Sequence, residues 1–365
     1  MNTPRPPRVF IRTDASSRIG SGHVMRCLTL AGELKAKGAE VAFLSRDLPG
    51  HLCDAITGLG FPVYRLPAPM TMDADWLGVP MDVDREQTRE ILARVGGGDW
   101  LVVDHYGLDR EWESALRPWT RRLMVIDDLA NRPHDCDVLL DQNLCAGMET
   151  RYEGLVPEAC LQLIGPRYAL LRPEFRRARS GLSPRDGQVR RMLIFFGGVD
   201  ATNETTKALE ALEQLALPNL AIDVVVGASN PHQDVIRVRC ERAPRTSLHV
   251  AVPHMAELMS RADLAIGAGG TTTWERCYLG LPTLILTLAD NQVPLVQAVS
   301  AAKAAWNLGP AESVGVEEIQ NALQRVISEP GEIAEVSRNA WSLMAGNDPE
   351  TGVAGVLLEA RHDEA

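Results

Sequence analysis

Apolar residues recur along this chain in two rhythms, short unbroken runs of strand length and spacings of three and four. Val9-Phe10-Ile11 is the first run, and Val24, Leu28, Ala31 and Leu34 then repeat as one helix face. Between them Asp14-Ala15-Ser16-Ser17-Arg18-Ile19-Gly20-Ser21-Gly22 is small and polar. A strand, a glycine-rich turn and a helix are therefore predicted, with His23 at the helix start. Gly38 stops that helix and Val41–Leu44 reads as the second strand. Further strands are predicted at 62–66, 100–104, 123–126, 136–140 and 161–164, with helices at 51–59 and 84–95. Residues 67–83 carry Pro, Met and Asp without a period and read as a surface loop.

The second half repeats this grammar. Strands are predicted at 192–196, 222–227, 248–252, 264–266 and 284–286, with helices at 203–215 and 254–260 and a further one carrying Glu275. Three helical stretches close the chain. Such alternation defines an α/β fold with two doubly wound, Rossmann-like domains. Residues 172–191 turn to Arg, Ser, Gly and Pro without a period and mark the boundary. The expected division is 1–172, a linker 173–190, a second domain 191–345, and a C-terminal helix and tail 346–365. The basic run Arg172, Arg176, Arg177, Arg179 reads as a solvated helix face, with Arg172 the exception to watch.

Length supports this, since 365 residues exceed one hydrophobic core. A net charge of −11 argues against nucleic acid as a partner, because phosphate backbones need a basic footprint. The seven cysteines (27, 53, 136, 145, 160, 240, 277) are odd in number and lack a C-x-x-C pair. They read as reduced thiols of a cytoplasmic protein. Met1–Arg8 has no apolar h-region and no run reaches the length of a membrane span. The proline-rich start and the acidic end, 362–365, are expected to be disordered, and the chain to act as a monomer.

Candidate chemistry gathers at strand ends. Gly20 and Gly22 let backbone approach a ligand, the helix start offers bare N–H groups to an anion, and His23 exchanges a proton near neutral pH. That combination suits attack on a sugar–phosphate bond. A histidine merely capping a common strand–turn–helix opening is the alternative. The strand at 100–104 ends in Asp104-His105-Tyr106, and ligands of open parallel sheets sit beyond such ends, so His105 and Tyr106 are placed at a substrate. Acids at strand ends (Asp104, Asp127, Asp128) raise the option of a metal, but caps and loop ligation are the commoner use, and no metal is expected. In the second half, Gly197-Gly198 and Gly269-Gly270-Thr271-Thr272 form a plausible diphosphate clamp. Glu275 suits ribose hydroxyls or simply offsets the helix dipole, and Asn291 and Gln292 stand at another strand end. Neither turn has a Gly-x-Gly-x-x-Gly form and no Walker Lys follows, so no dinucleotide or ATP cofactor is expected.

Asp14-Ala15-Ser16, Gly20-Ser21-Gly22-His23 and Met25-Arg26-Cys27 together resemble the opening motif of the UDP-2,4-diacetamido-2,4,6-trideoxy-β-L-altropyranose hydrolases of pseudaminic acid biosynthesis. Gly165-Pro166-Arg167-Tyr168-Ala169-Leu170-Leu171-Arg172 resembles another stretch of that family. Gly197-Gly198 with Asp200, the run Gly267–Glu275 and Asp290-Asn291-Gln292 resemble the donor-binding domain of GT-B enzymes, including, more remotely, the peptidoglycan N-acetylglucosaminyltransferase. The resemblance reaches to about residue 345. It implies two domains facing a cleft, the second holding UDP. It also implies metal-independent, inverting hydrolysis of the UDP-diacetamido sugar, serving flagellin glycosylation. His23 would be the general base, Tyr106 and His105 would position sugar or water, and Asp14 would orient His23 or its loop. Gly20, Gly22, Arg26, Arg172, Gly197, Gly198, Gly269, Gly270, Thr271, Thr272, Glu275, Asn291 and Gln292 would bind the substrate. Two alternatives stay open: a glycosyltransferase with a UDP-sugar donor, and a non-catalytic nucleotide-sugar binder.

Overall fold

The computed structural model describes residues 5–69, 76–145, 147–348 and 352–359. These divide into two compact units. The first holds the described residues up to Asn143, Gly147–Leu170 and the stretch from Asn347 onward; the second holds Leu144, Cys145 and Leu171–Gly346. The first unit contains β1 (Arg8–Thr13), β2 (Glu40–Arg46), β3 (Val63–Leu66), β4 (Gly98–Asp104), β5 (Thr120–Ile126), β6 (Val138–Asp141) and β7 (Leu161–Ile164). They form one parallel sheet in the order β3-β2-β1-β4-β5-β6-β7, so the order reverses between β1 and β4. The second contains β8 (Arg191–Phe195), β9 (Ala221–Val226), β10 (Thr246–Val250), β11 (Leu264–Ala268), β12 (Thr283–Thr287) and β13 (Trp306–Pro310). Their order is β10-β9-β8-β11-β12-β13, again parallel, with the reversal between β8 and β11.

The first sheet is buried on both faces, which is why its strands read as unbroken apolar runs. Successive side chains point to opposite faces. Val9, Ile11, Trp100, Val102, Met124 and Ile126 share a core with Val24, Cys27, Leu30, Ala31 and Leu34 of the helix Gly22–Ala36. Phe10, Leu101, Val103, Leu123 and Val125 share the opposite one with Ile91, Leu92 and Trp112. This parity decides which strand-end residues can meet His23. In the second unit, Met192, Ile194, Val224, Ile266 and Leu284 pack on the helices Glu204–Leu215 and Val316–Ile327.

Three readings of the sequence are corrected. Among the described residues beyond β12 there are β13 and four α-helices, not three helical stretches alone. β13 is an edge strand carrying Gly309 and Pro310, with a register shift against β12, so it lacks the apolar run of a central strand. Residues 173–190 are not a tether. Pro173–Arg179 is a helix with Phe175 buried, and Arg185, itself buried, donates to the carbonyls of Met259, Ala262 and Leu279. Nor is the basic run simply solvated: Arg179 stacks 3.7 Å from the Trp341 ring centroid and 4.5 Å from that of Tyr278. These guanidiniums satisfy helix-end carbonyls, a role invisible in composition.

The stretch after Asn347 returns to the first unit, where the helix Val353–Glu359 packs on Gly22–Ala36 and Trp100 Nε1 donates to Leu357 O at 2.8 Å. Residues 70–75 of the expected loop, and 1–4 and 362–365 of the expected disordered ends, lie outside the described residues; the helix Met81–Val95 already begins inside 67–83. Among the described residues no helix is long and apolar enough to cross a membrane.

Candidate active site

The two topological switch points carry the two candidate sites, as expected for parallel sheets of this kind. In the first unit the loop after β1 folds back on itself. Gly20 N donates to Ser16 O at 2.8 Å, and Ser16 Oγ accepts from Arg18 N and Ile19 N. Gly20 holds φ +79°, a conformation glycine adopts without strain. The helix then starts at Gly22, and His23 is its second residue.

His23 Nδ1 lies 2.6 Å from Oδ1 of Asp104, the last residue of β4, and the ring is 9 % exposed. Arg26, one turn further on, grips the same carboxylate with Nε (2.7 Å) and Nη2 (2.6 Å) and reaches Asp128 with Nη1 at 3.1 Å. Burial alone would raise the Asp104 carboxyl, but Arg26 and then His23 outweigh it and hold it well below the usual carboxylate range. An ionised Asp104 accepts from Nδ1–H, so in the neutral ring Nε2 presents its lone pair, and the polar contacts of the ring with described residues are all made by Nδ1. Tyr106 stands edge-on to the His23 ring, centroids 4.6 Å apart, and its hydroxyl donates to Asp128 at 2.7 Å. Trp76 continues this aromatic wall 5.4 Å from Tyr106.

Parity separates two expected residues from this group. Asp14 does not touch His23. It pairs with Arg12 at 2.6 Å and accepts from Arg46 N at 2.7 Å, within a buried network that also holds Asp84. His105 shares that side: its Nδ1 accepts from Gly107 N at 3.0 Å and its Nε2 lies 3.4 Å from Asp14. Burial pushes His105 down to about 4 against the pull of Asp14, so it is neutral at pH 7 and braces the loop rather than reaching a substrate. Arg26 is likewise taken up by two carboxylates rather than left open to a ligand. Asp104 and Asp128, weighed in the sequence only as acids at strand ends, are the partners of His23, Arg26 and Tyr106, and Trp76 lies in a stretch without a period. Asp104 carried a signal, since it stands in β4 at the same parity as Trp100 and Val102. The acids at these strand ends serve arginines and loop amides: Asp127 accepts from Arg132 and from the amides of Leu129 and Ala130.

In the second unit the turn after β8 includes Gly197, at φ +98°, and Gly198. Asp200 then accepts from the amides of Glu204 and Thr205 at 2.9 and 3.0 Å, so a carboxylate already fills that helix start. The turn after β11 is more open. A Cβ on Gly269 would lie 2.3 Å from Val296 Cγ2, whereas one on Gly270 would meet nothing within 4 Å. Gly269 is thus required by packing, while Gly270 leaves its backbone approachable. Thr271 and Thr272 are half-buried at the start of the helix Thr272–Tyr278. Gln292, in the turn Asp290–Gln292, sits beside Gly269 and accepts from Leu288 N at 3.0 Å; Asn291 belongs to the same turn. Glu275 and Arg172 come together at 3.0 Å across 103 residues, and Arg172 also pairs with Glu174. Burial outweighs Arg172 and raises the Glu275 carboxyl.

Two doubly wound parallel sheets, each with a glycine turn at its switch point, define a GT-B protein. Residues 192–348 match the glycosyltransferase family 28 C-terminal domain, and the fold matches MurG of Acinetobacter baumannii (TM-score 0.66, 15 % identity, 97 % of this chain and all of that one). A spinosyn rhamnosyltransferase complexed with thymidine diphosphate aligns at TM-score 0.59 and 15 % identity, over 97 % of this chain and all of that one. The resemblance to the UDP-sugar hydrolases extends along most of the chain. It is 27 % identical over 286 residues to the UDP-2,4-diacetamido-2,4,6-trideoxy-beta-L-altropyranose hydrolase of Campylobacter jejuni, covering 78 % of this chain and 93 % of that protein. It is also 26 % identical to the uncharacterized protein MJ1062 of Methanocaldococcus jannaschii and 32 % identical to the spore coat polysaccharide biosynthesis protein SpsG of Bacillus subtilis. Those matches take in 76 % and 45 % of this chain, which spans about half of each of those two proteins, 55 % and 48 %.

Proposed function

We propose that the protein hydrolyses a UDP-sugar at the anomeric C–O bond, with UDP-2,4-diacetamido-2,4,6-trideoxy-β-L-altrose as the substrate the Campylobacter relative favours. The carrying observation is the His23–Asp104 contact at 2.6 Å, with Nε2 left free. Nε2 takes a proton from water as its oxygen attacks the anomeric carbon. The C–O bond to phosphate breaks, UDP leaves with the electron pair, and configuration inverts. Asp104 keeps the ring in the Nδ1–H tautomer and stabilises the imidazolium that forms. A base so placed contributes about 10²–10⁴ in rate. The Gly270–Thr272 turn is assigned to the diphosphate, whose charge grows as the bond breaks. Tyr106 and Trp76 bound the sugar side. No step calls on a metal.

Incubation with UDP-sugars in chelator should release UDP without an acceptor, and NMR should show the inverted sugar as first product. His23→Ala should retain UDP binding and lose nearly all turnover; surviving turnover would refute the base assignment. A glycosyltransferase is the reading the fold neighbours favour, and it predicts UDP release only when an acceptor is supplied.

A further inference from the structure

The carboxyl end of β2 runs into a tight bend, Asp47–His51, that leads to Cys53 at the start of the helix Cys53–Gly58. Three side chains converge there. A carboxylate oxygen of Asp47, an imidazole nitrogen of His51 and Sγ of Cys53 all lie within 4.8 Å of one another. His51 Nε2 is 3.8 Å from Asp47 Oδ1. Oxygen, nitrogen and sulfur in one cluster is a donor set that zinc takes, at roughly 2.0–2.3 Å from each. Closing to those distances needs movements of about 1 Å. Asp47 and His51 have that freedom, being 32 % and 25 % exposed, while Cys53 is fixed in the core. A recess of about 410 Å³, lined by Asp47, Gly50, His51 and Pro69, gives a hydrated ion its way in.

Local charge points the same way. Arg65 donates to Asp47 at 3.2 Å and to Asp54. Asp47, Asp54 and a Cys53 thiolate carry three negative charges and Arg65 one positive, so a divalent cation brings the cluster to neutrality. Arg65 remains on Asp54 when an ion takes the Asp47 oxygen. We propose that Asp47, His51 and Cys53 form a binding site for a divalent cation of zinc's character, with water as its fourth ligand. On loading, the Cys53 thiol gives its proton to solvent, and the imidazole proton sits on Nδ1 so that Nε2 faces the ion. Nδ1 then gives up the bond it accepts from Cys53 N, which is long at 3.3 Å.

The site stands one loop away from His23. Ser17 N donates to Pro49 O at 3.0 Å, and a Cβ on Gly50 would lie 2.9 Å from Ser17 N. An ion that pins Asp47–His51 therefore firms the backing of the loop that carries the histidine. This inference does not depend on the reaction proposed above, and its test does not read activity.

The full chain, stripped of metal by chelation, is titrated with Co²⁺ and then with Zn²⁺. One equivalent of Co²⁺ should raise a thiolate-to-cobalt charge-transfer band, and Zn²⁺ should abolish it. Cys53→Ser should remove the band, His51→Ala should weaken binding tenfold or more, and Cys145→Ser, at a half-buried thiol elsewhere, should leave the band intact. Affinity should fall as pH is lowered, because a thiol and an imidazole must be free of their protons to bind the ion. Should Cys53→Ser fail to fold, Asp47→Asn reads the same site from its exposed side and should weaken binding. Absence of a stoichiometric band overturns the proposal. So does a band that survives Cys53→Ser, or Co²⁺ binding unchanged in both His51→Ala and Asp47→Asn.

Discussion

Asp104→Asn is the substitution that most directly tests the arrangement around His23. The change keeps the shape of the side chain and removes its charge. In the native protein this carboxylate is fully buried and takes His23 Nδ1, Arg26 Nε and Nη2, and Cys27 Sγ. An amide nitrogen turned toward His23 would donate to Nδ1, move the ring proton to Nε2 and leave no base. An amide oxygen turned there would keep the tautomer but no longer stabilise the imidazolium. Either way turnover should fall by about 10²–10⁴, the worth of a positioned base, or roughly 3–5 kcal/mol. Arg26 would keep only Asp128 as a charged partner, and losing one member of a buried pair costs about 3–5 kcal/mol of stability. The assay is UDP release at a temperature where circular dichroism shows the variant folded, with UDP affinity measured alongside and expected unchanged. The two sites act as one unit, so His23→Ala with Asp104→Asn should be no slower than His23→Ala alone. A folded Asp104→Asn with native turnover, or effects that multiply in the double variant, would refute the dyad.

Three further outcomes follow from the same geometry. Gly269→Ala should cost about 1–3 kcal/mol in chemical denaturation, because its methyl meets Val296, while Gly270→Ala should leave stability unchanged and weaken UDP binding; equal stability losses would count against the distinction. The folded-state value of His105, about 4, lies below its ordinary 6.5. Between those values the unfolded chain binds a proton that the native one refuses, so stability is lost as pH falls, by up to about 3 kcal/mol. Asp141, raised by burial to about 6, acts oppositely: its contribution is present below 3.8 and lost as pH rises through 6. His105→Asn should therefore leave stability falling more steeply with rising pH between 4 and 6 than in the native protein, and an unaltered slope would reject the assignment. Arg172→Met removes the cation opposing burial of Glu275, so that carboxyl should titrate higher still in NMR of labelled glutamate.

Local pattern was enough for most of the architecture. Unbroken apolar runs mark strands buried on both faces, helical spacing marks the elements that cover them, and glycines mark the turns after β1, β8 and β11. These signals lie within a few residues of one another, so they can be read from the chain alone. β13 escaped because an edge strand needs only half its residues to be apolar. Partnership was another matter. The motif around His23 was legible, but its orienting acid lies 81 residues away, brought near only because the sheet order reverses between β1 and β4. Strand parity then turned Asp104 toward the helix Gly22–Ala36 and His105 toward the opposite core, where Asp14 also lies. Glu275 met Arg172 in the same way, across 103 residues. Spacing along the chain gives the kind of side chain available at each strand end; the neighbour and face it is given depend on packing two layers of helices against one sheet.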